Sequence, residues 1–264
     1  MNDAGLIKKE VLGVHVAALT VEQFISTMIK WAKEDTKRFG SYVNAHCLEL
    51  YHKDSGYREV IDKADMVYAD GQAIVWASQI LGAGLPERVN AGDFFIEFCF
   101  RCAAENLRLF FLGSKENIAR KAAENIKRIV PDLDIAGTHH GYFEWGHDKD
   151  EKASLSQSLS GSPQVIQAIN DAIPDILIVG MSAPRQEKWA CANLEALDVN
   201  LVWCVGALFE YYAGVTPRAP VWMRRVGLEW AFRLAVEPRR LLKRYTIENV
   251  QFLVRLFKAL LIRK

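Results

Sequence analysis

An acidic residue at the end of an apolar stretch is the first feature that suggests chemistry. Asp70 follows Met66-Val67-Tyr68-Ala69, which has the composition of a buried strand, and precedes Gly71, where the chain can turn sharply. A carboxylate at such a turn can take a proton from a reacting hydroxyl group, or it can cap the helix that follows. At this point both interpretations of Asp70 remain open.

Polar residues follow three other apolar stretches in the same way. They are Asn44 with His46, Gly113 with Ser114, and Gln186 with Glu187 in "GMSAPRQEKW". A helix starting at Ser114 would direct its free N–H groups at an anion. Each group alone is explained equally well by capping. In an open α/β sheet, however, ligands bind beyond the carboxyl ends of the strands, so four such groups together favour a phosphate- or nucleotide-binding site.

Two motifs that often bind metals carry less weight here. Asp132-Leu133-Asp134 has the form of a metal-binding DxD motif, but it follows Pro131 at a helix-to-strand junction, where we expect the opposite edge of the sheet. Cys99 and Cys102 lie within an apolar helix without a second pair of cysteines, which favours core packing. We therefore expect neither a metal site nor a cofactor.

The elements that must position these groups alternate between strands and helices. The stretches 175–181 and 200–207 are apolar on both faces, which is typical of parallel strands covered by helices. Locally, we expect a capping box at Thr20, a strand over 41–47, a helix capped by Ser114 and a short strand at Asp134. The polar, Ser-rich segment 148–164 is predicted to be a surface insertion.

Composition indicates an ordinary globular protein, with 50% hydrophobic residues among 264. Five scattered cysteines predict reduced thiols and a cytoplasmic location. We expect neither a signal region nor a membrane-spanning segment. The charge is unevenly distributed, because residues 215–264 carry 12 Lys or Arg against three Glu, a net +9, whereas the preceding residues carry −8.

The last part of this basic tail predicts an amphipathic helix. Its apolar stripe consists of Val250, Leu253, Phe257, Leu260 and Leu261. Basic residues border the stripe, a pattern that fits a helix lying in a membrane interface. The alternative is a helix packed on the protein's own core with a solvated basic face.

The ordered motifs resemble one protein family. The stretches "VNAHCLEL", "ADMVYADG", "ERVNAGDFF", "LFFLGSKEN", "GTHHGYF", "PDILIVGMSAPRQEKW", "WCVGALFEYYAG" and "RAPVWMRRVGLEWAFRLAVEPRRLLKRY" are similar to the WecG/TagA/CpsF family of bacterial glycosyltransferases. The resemblance covers roughly residues 12–245. It implies a Rossmann-like α/β catalytic domain, here residues 1–214, with helices on both faces of a parallel sheet. Residues 215–264 would form a basic, amphipathic helical appendage that meets the membrane.

The resemblance also implies an activity and its partners. Members are inverting, metal-independent transferases that move a sugar from a UDP donor to a sugar on undecaprenyl diphosphate, in surface polysaccharide biosynthesis. The expected partners are thus a UDP-sugar, a polyprenyl-diphosphate-linked sugar and the inner surface of the cytoplasmic membrane, with a homo-oligomer when the protein is off the membrane. N-acetylmannosamine, its uronic acid and related hexoses remain open as the donor sugar.

Several residue roles follow from the same resemblance. Asp70 matches the proposed catalytic base, and Gln186 matches a glutamine proposed to contact the reacting sugars. Further substrate-binding positions are Asn44, Gly71, Arg88, Gly113, Ser114, Tyr142, Glu210, Arg233, Arg240 and Lys243. Two departures are Tyr42, where some relatives have Thr, and Glu210, where relatives more often have Asp.

Two other classes of protein remain as alternatives. A nucleotide-dependent oxidoreductase would need a Gly-rich turn followed by an acid about 20 residues on, a pattern that this sequence lacks. A nucleic-acid-binding protein could use the basic tail. The tail's aromatic residues fall at apolar positions, which favours a membrane surface over a nucleic acid.

Overall fold

The computed structural model describes residues 5–143 and 163–262. Within this part of the chain, a two-stranded antiparallel hairpin precedes a six-stranded parallel sheet with the order β4-β3-β8-β7-β5-β6. The strands are β1 (Lys8–Val11), β2 (Val14–Ala17), β3 (Arg38–Val43), β4 (Met66–Ala69), β5 (Arg108–Gly113), β6 (Asp134–His139), β7 (Ile176–Gly180) and β8 (Leu201–Cys204).

Helices flank the sheet and follow most of its strands. They are α1 (Val21–Ala32), α2 (Ala45–Lys53), α3 (Ser55–Lys63), α4 (Gln72–Ile80), α5 (Ala91–Ala104), α6 (Ile118–Ile129), α7 (Pro163–Ala172), α8 (Arg185–Asn193), α9 (Leu208–Tyr212), α10 (Val221–Arg225), α11 (Glu229–Val236) and α12 (Pro238–Ile262). The predicted α/β class with a helix-covered parallel sheet is confirmed.

The two faces of the sheet are covered by different helices. One layer contains α1, α5, α9 and α6 in series, and the other contains α2, α3 and α8. Trp203 of β8 packs among Phe24, Phe94 and Phe98 of the first layer. On β3, Ser41 instead hydrogen-bonds to Glu187 of α8 in the second layer. Burial of every residue of β7 and β8 explains why both strands are apolar on both sides.

Several local predictions differ from the structure at element ends. The strand predicted over 41–47 begins at Arg38 and ends at Val43, because the Asn44 side chain accepts a hydrogen bond from the Cys47 N–H and starts α2. The N-cap of α6 is Asn117 in a left-handed conformation, so the prediction of a Ser114 cap was wrong. The strand at Asp134 extends to His139.

Other local predictions stand or cannot be compared. The capping box of Thr20 and Gln23 is confirmed, with both reciprocal hydrogen bonds present. Residues 148–162 of the predicted surface insertion lie outside the described residues, and its last two residues begin α7. The hairpin of β1 and β2 was not predicted.

The C-terminal helix α12 packs against α2 along one side. Phe252 and Leu256 are buried there, and Arg255 donates to Glu49, whose side chain is only 1% exposed. Four of the five residues of the predicted stripe are exposed, namely Val250, Leu253, Phe257 and Leu261. One side of α12 thus packs on the protein, as the alternative interpretation predicts, while the membrane-interface interpretation stays a prediction.

Among the described residues, none of the helices combines the length and the apolar character that crossing a membrane would require.

Candidate active site

A cavity of about 500 Å³ lies beyond the carboxyl ends of β3, β4, β7 and β8. Its walls come from the turns after these strands and from the tail, which contributes residues of α11 and α12. Five of the predicted site residues line it, namely Asn44, Asp70, Gly71, Arg88 and Arg233. This position agrees with the rule that open α/β sheets bind ligands at the carboxyl edge.

Asp70 does not cap the helix that follows it. The N-cap residue of α4 is Gly71, and no side chain caps this helix by a hydrogen bond. The Asp70 side chain instead lines the cavity. Its Oδ1 accepts a hydrogen bond from Asn90 Nδ2 at 2.8 Å, and Asn44 Nδ2 lies 3.4 Å from Oδ2. Two amides therefore orient a carboxylate that has cavity space in front of it.

Glycine at position 71 follows from the close approach of two strand ends. A Cβ on Gly71 would lie 2.9 Å from the Asn44 Cβ and 3.1 Å from its Cα, too close for any side chain without a backbone shift. Gly71 therefore lets the turns after β3 and β4 meet, and this contact brings Asn44 within reach of Asp70.

The surroundings of Asp70 weaken its acidity. Burial, and next the negative charge of Glu229, raise the pKa of Asp70 to about 6, while Arg88, the Asn44 hydrogen bond and Arg233 act in the opposite direction. A carboxylate with such a pKa is a stronger base than an exposed aspartate and is still mostly ionised at neutral pH.

An ion-pair cluster joins the tail to the body beside Asp70. Arg88 donates to Glu229 of α11 at 3.0 Å and also to Asp93 of α5. Asp93 further accepts from Arg218 and Arg224, and Arg218 Nη2 donates to the Asn90 side chain at 3.0 Å. The same cluster therefore orients Asn90, a hydrogen-bond donor to Asp70, and places Glu229 near the carboxylate.

Gln186 lies behind the wall of the cavity and is fully buried. Its Oε1 accepts a hydrogen bond from the Gly206 N–H at 3.0 Å, and its Nε2 donates to Glu187 at 2.7 Å. Gly206 and Tyr42, whose hydroxyl lies 3.4 Å from the same Nε2, both line the cavity. In this conformation Gln186 holds the turn after β8 in place and does not itself reach the cavity.

Glu187 supports Gln186 from inside the protein. It is fully buried, accepts from Ser41 Oγ at 3.0 Å, and burial raises its pKa to about 7, against the lowering effect of its hydrogen bonds from Gln186 and Ser41. Both residues lie in the first turn of α8, which begins at Arg185.

Four predicted residues lie apart from this cavity. Gly113 ends β5, which lies beyond β7 in the sheet, and Ser114 follows it. The Ser114 hydroxyl is buried without a hydrogen-bond partner among the described residues. Tyr142 is exposed after β6, and Glu210 lies in α9. The side chains of Arg240 and Lys243 lie outside the described part of the structure, although the backbone there belongs to α12.

Sequence reasoning missed several residues that line the cavity. Glu229 and Glu248 belong to the tail, and no local sequence pattern indicates that they lie near the strand ends. The Glu248 carboxylate lies 2.9 Å from His46 Nδ1. Asn90 left a detectable signal, because it stands directly before α5 in the N-cap position. Its side chain makes no cap there and is available for Asp70.

The metal-binding alternatives find no support among the described residues. Asp134 begins β6, at the amino edge of the sheet and away from the cavity, and pairs with Arg108. Cys99 and Cys102 are buried in α5, as core packing predicts. The described part of the chain contains no cluster of three His, Cys, Asp or Glu residues placed to hold a metal ion.

Comparison with known proteins indicates the family of this chain. The model of the family "Glycosyl transferase WecG/TagA/CpsF family" matches residues 9–264. An N-acetylglucosaminyldiphosphoundecaprenol N-acetyl-beta-D-mannosaminyltransferase of Staphylococcus aureus is 27% identical over 237 residues, covering 89% of this chain and 87% of the relative. A protein of the same name from Bacillus spizizenii is 29% identical over 188 residues, 70% of this chain and 65% of that relative. The chain therefore belongs to the WecG/TagA/CpsF family of glycosyltransferases.

Proposed function

We propose that this protein transfers N-acetylmannosamine, or a related hexose, from a UDP donor to a sugar carried on undecaprenyl diphosphate, with inversion at the anomeric carbon. The names of the relatives support the acceptor and the type of sugar. The UDP donor and the stereochemical outcome rest on the family resemblance. The product would serve cell-envelope polysaccharide synthesis.

The oriented carboxylate of Asp70 is the observation that carries this proposal. In the proposed step, an acceptor hydroxyl gives its proton to Asp70 while its oxygen forms a bond to the anomeric carbon. The bond from that carbon to the diphosphate oxygen breaks, and UDP leaves. Asn44 and Asn90 hold the carboxylate in position, and its raised pKa suits a general base at neutral pH.

The remaining groups are assigned positioning and binding roles. Gln186 positions the turn at Gly206, and Tyr42 narrows the cavity beside it. Arg88 and Arg233 line the cavity and would contact the diphosphate of the UDP donor or that of the lipid acceptor. Gly113, Ser114, Tyr142 and Glu210 remain the nucleotide-binding candidates. Arg240 and Lys243 remain candidates from the tail.

Residues 1–214 would form the catalytic unit, and residues 215–264 would attach it to the inner face of the cytoplasmic membrane. The exposed apolar side of α12 and the +9 charge of the tail support this attachment. Attachment would bring the cavity to an acceptor that is itself a membrane lipid.

A transfer assay tests the proposal. Purified protein is given a lipid-diphosphate-linked N-acetylglucosamine acceptor and a panel of UDP-sugars, and UDP release is measured together with the product. We expect one or a few UDP-hexoses to be used. Asp70→Asn should lower turnover by roughly 10²-fold or more, as loss of a general base does, while UDP binding is retained.

Asp132→Asn is the matched control, because Asp132 is exposed and remote from the cavity. It should transfer sugar at the normal rate. Normal turnover by Asp70→Asn would remove Asp70 from the chemistry, and absence of transfer from every UDP-sugar would reject the proposed reaction.

A further inference from the structure

The cavity has two chemically different ends. The inner end contains the polar groups around Asp70. The outer end, which we call the apolar arm, runs between α4 and the tail and is lined by Trp76, Ala77, Ile80, Trp230, Leu253 and Leu256. A single continuous cavity therefore joins a general-base candidate to an apolar channel.

The two walls of the apolar arm, α4 and the tail, are in close contact at Gly227. Gly227 has φ +76° and lies directly against α4, where a Cβ would be 2.9 Å from Gln72 Cγ and from the Trp76 ring. This contact, made without a side chain, brings the tail onto α4. Toward the surface the arm keeps apolar side chains uncovered, with Ile80 55% and Leu253 61% exposed.

We propose that the apolar arm binds the isoprene units of the acceptor lipid that lie closest to its diphosphate. This inference rests on the proposed function. The order of groups along such an acceptor is a sugar hydroxyl, a diphosphate and then an apolar chain. The cavity contains a group suited to each part: Asp70 for the hydroxyl, the guanidinium groups of Arg88 and Arg233 for the diphosphate, and the arm for the apolar chain.

The dimensions of the cavity limit what the arm can hold. A volume of about 500 Å³ must accommodate the reacting sugars as well as the lipid, so only a short part of a polyprenyl chain fits. The rest of the chain would leave past Ile80 and Leu253. Nearby, Phe257 continues the exposed apolar surface of α12, so the exit leads to the side of the protein proposed to meet the membrane.

Direct binding of farnesyl diphosphate is the first test. The probe is used as a monomer without vesicles, and binding is followed by the fluorescence of the tryptophans, two of which line the arm. Ile80→Glu places a charge in the arm and should weaken binding about tenfold or more, since burial of an isoprene unit is lost. Binding of inorganic pyrophosphate should be unchanged in the same variant.

Ile129→Glu is the matched control. Ile80 and Ile129 each form the last residue of a helix, α4 and α6, and their exposed fractions are 55% and 50%. The control should bind farnesyl diphosphate within about twofold of the unaltered protein. Equal binding by the Ile80→Glu and Ile129→Glu variants would overturn the proposal.

Transfer to soluble acceptors is the second test. Acceptors carrying one, two or three isoprene units should show kcat/KM rising about tenfold or more along the series with the unaltered protein. Ile80→Glu should flatten this increase, whereas Ile129→Glu should keep it. No dependence on chain length with the unaltered protein would reject the arm as a lipid site while leaving the proposed transfer intact.

The remaining outcomes separate the two proposals and the alternative occupant. Farnesyl diphosphate binding that depends on Ile80, without transfer from any UDP-sugar, would support the arm and reject the proposed function.

A second copy of the chain is the other occupant that an apolar surface could bind. Dissociation of an oligomer by Ile80→Glu, seen in sedimentation, with no farnesyl diphosphate binding to the unaltered protein would assign the surface to subunit contact instead.

Discussion

At the residue scale, the acidity of Asp70 links the tail to the proposed chemistry. Glu229, contributed by α11, is the largest charged influence that raises its pKa, and burial is the largest influence overall. Since the base must be ionised, kcat/KM should fall as the pH drops through about 6. Glu229→Gln removes the neighbouring negative charge and frees Arg88 from this partner, and both changes favour ionised Asp70.

We therefore predict that Glu229→Gln moves the acid limb of the kcat/KM profile to lower pH. The measurement is the pH profile of sugar transfer between pH 4.5 and 8, with folding checked at each pH. Glu195→Gln, at an exposed glutamate outside the cavity, should leave the limb where it is. An acid limb that stays in place, or rises, in folded Glu229→Gln would contradict this account of the acidity of Asp70.

At the element scale, α12 has one side committed to the protein and another exposed. Removing the whole tail would uncover α2 and leave the buried Glu49 carboxylate without Arg255, a strongly destabilising change. A point substitution on the exposed side is a cleaner test. We predict that Phe257→Glu lowers co-sedimentation with anionic vesicles about tenfold or more at low salt, since an apolar anchor is replaced by a charge.

Phe100→Glu is the control for this prediction, because Phe100 is 51% exposed on α5 and Phe257 is 62% exposed. Binding of the unaltered protein should also weaken as salt rises, since basic residues of the tail would contact the lipid headgroups. If the full-length protein stays in the supernatant with anionic vesicles at low salt, α12 acts only as a packing element.

At the scale of the whole molecule, arginines from the tail and from the body meet at the cavity, together with the acidic residues Asp70, Glu229 and Glu248. Arg233 comes from the tail and Arg88 from the body, and both line the cavity. We predict that sugar transfer survives EDTA, because guanidinium groups can stabilise the departing diphosphate. A metal-dependent UDP-sugar transferase in the same assay confirms that chelation is complete. Loss of activity that Mg²⁺ or Mn²⁺ restores would reject this prediction and return attention to Asp132 and Asp134.

The sequence by itself determined the α/β class, the parallel sheet and the place of Asp70 at a strand end. These features depend on patterns that are local in the chain: apolar runs such as β7 and β8, capping residues such as Thr20, and the turn at Gly71. Local patterns were less informative about element ends, as the Asn44 and Asn117 caps show. Near the start of each helix, several residues have similar capping ability, and tertiary contacts determine which of them becomes the N-cap.

Only the tertiary structure decided which polar groups meet. Arg88 and Glu229 are 141 residues apart in the chain, and their contact depends on how α11 folds back over the strand ends. The same packing turned Gln186 away from the cavity, placed Asn90 against Asp70 and opened the apolar arm between α4 and α12. Such juxtapositions arise from the free energy of packing distant segments together, and no spacing or periodicity within a segment encodes them.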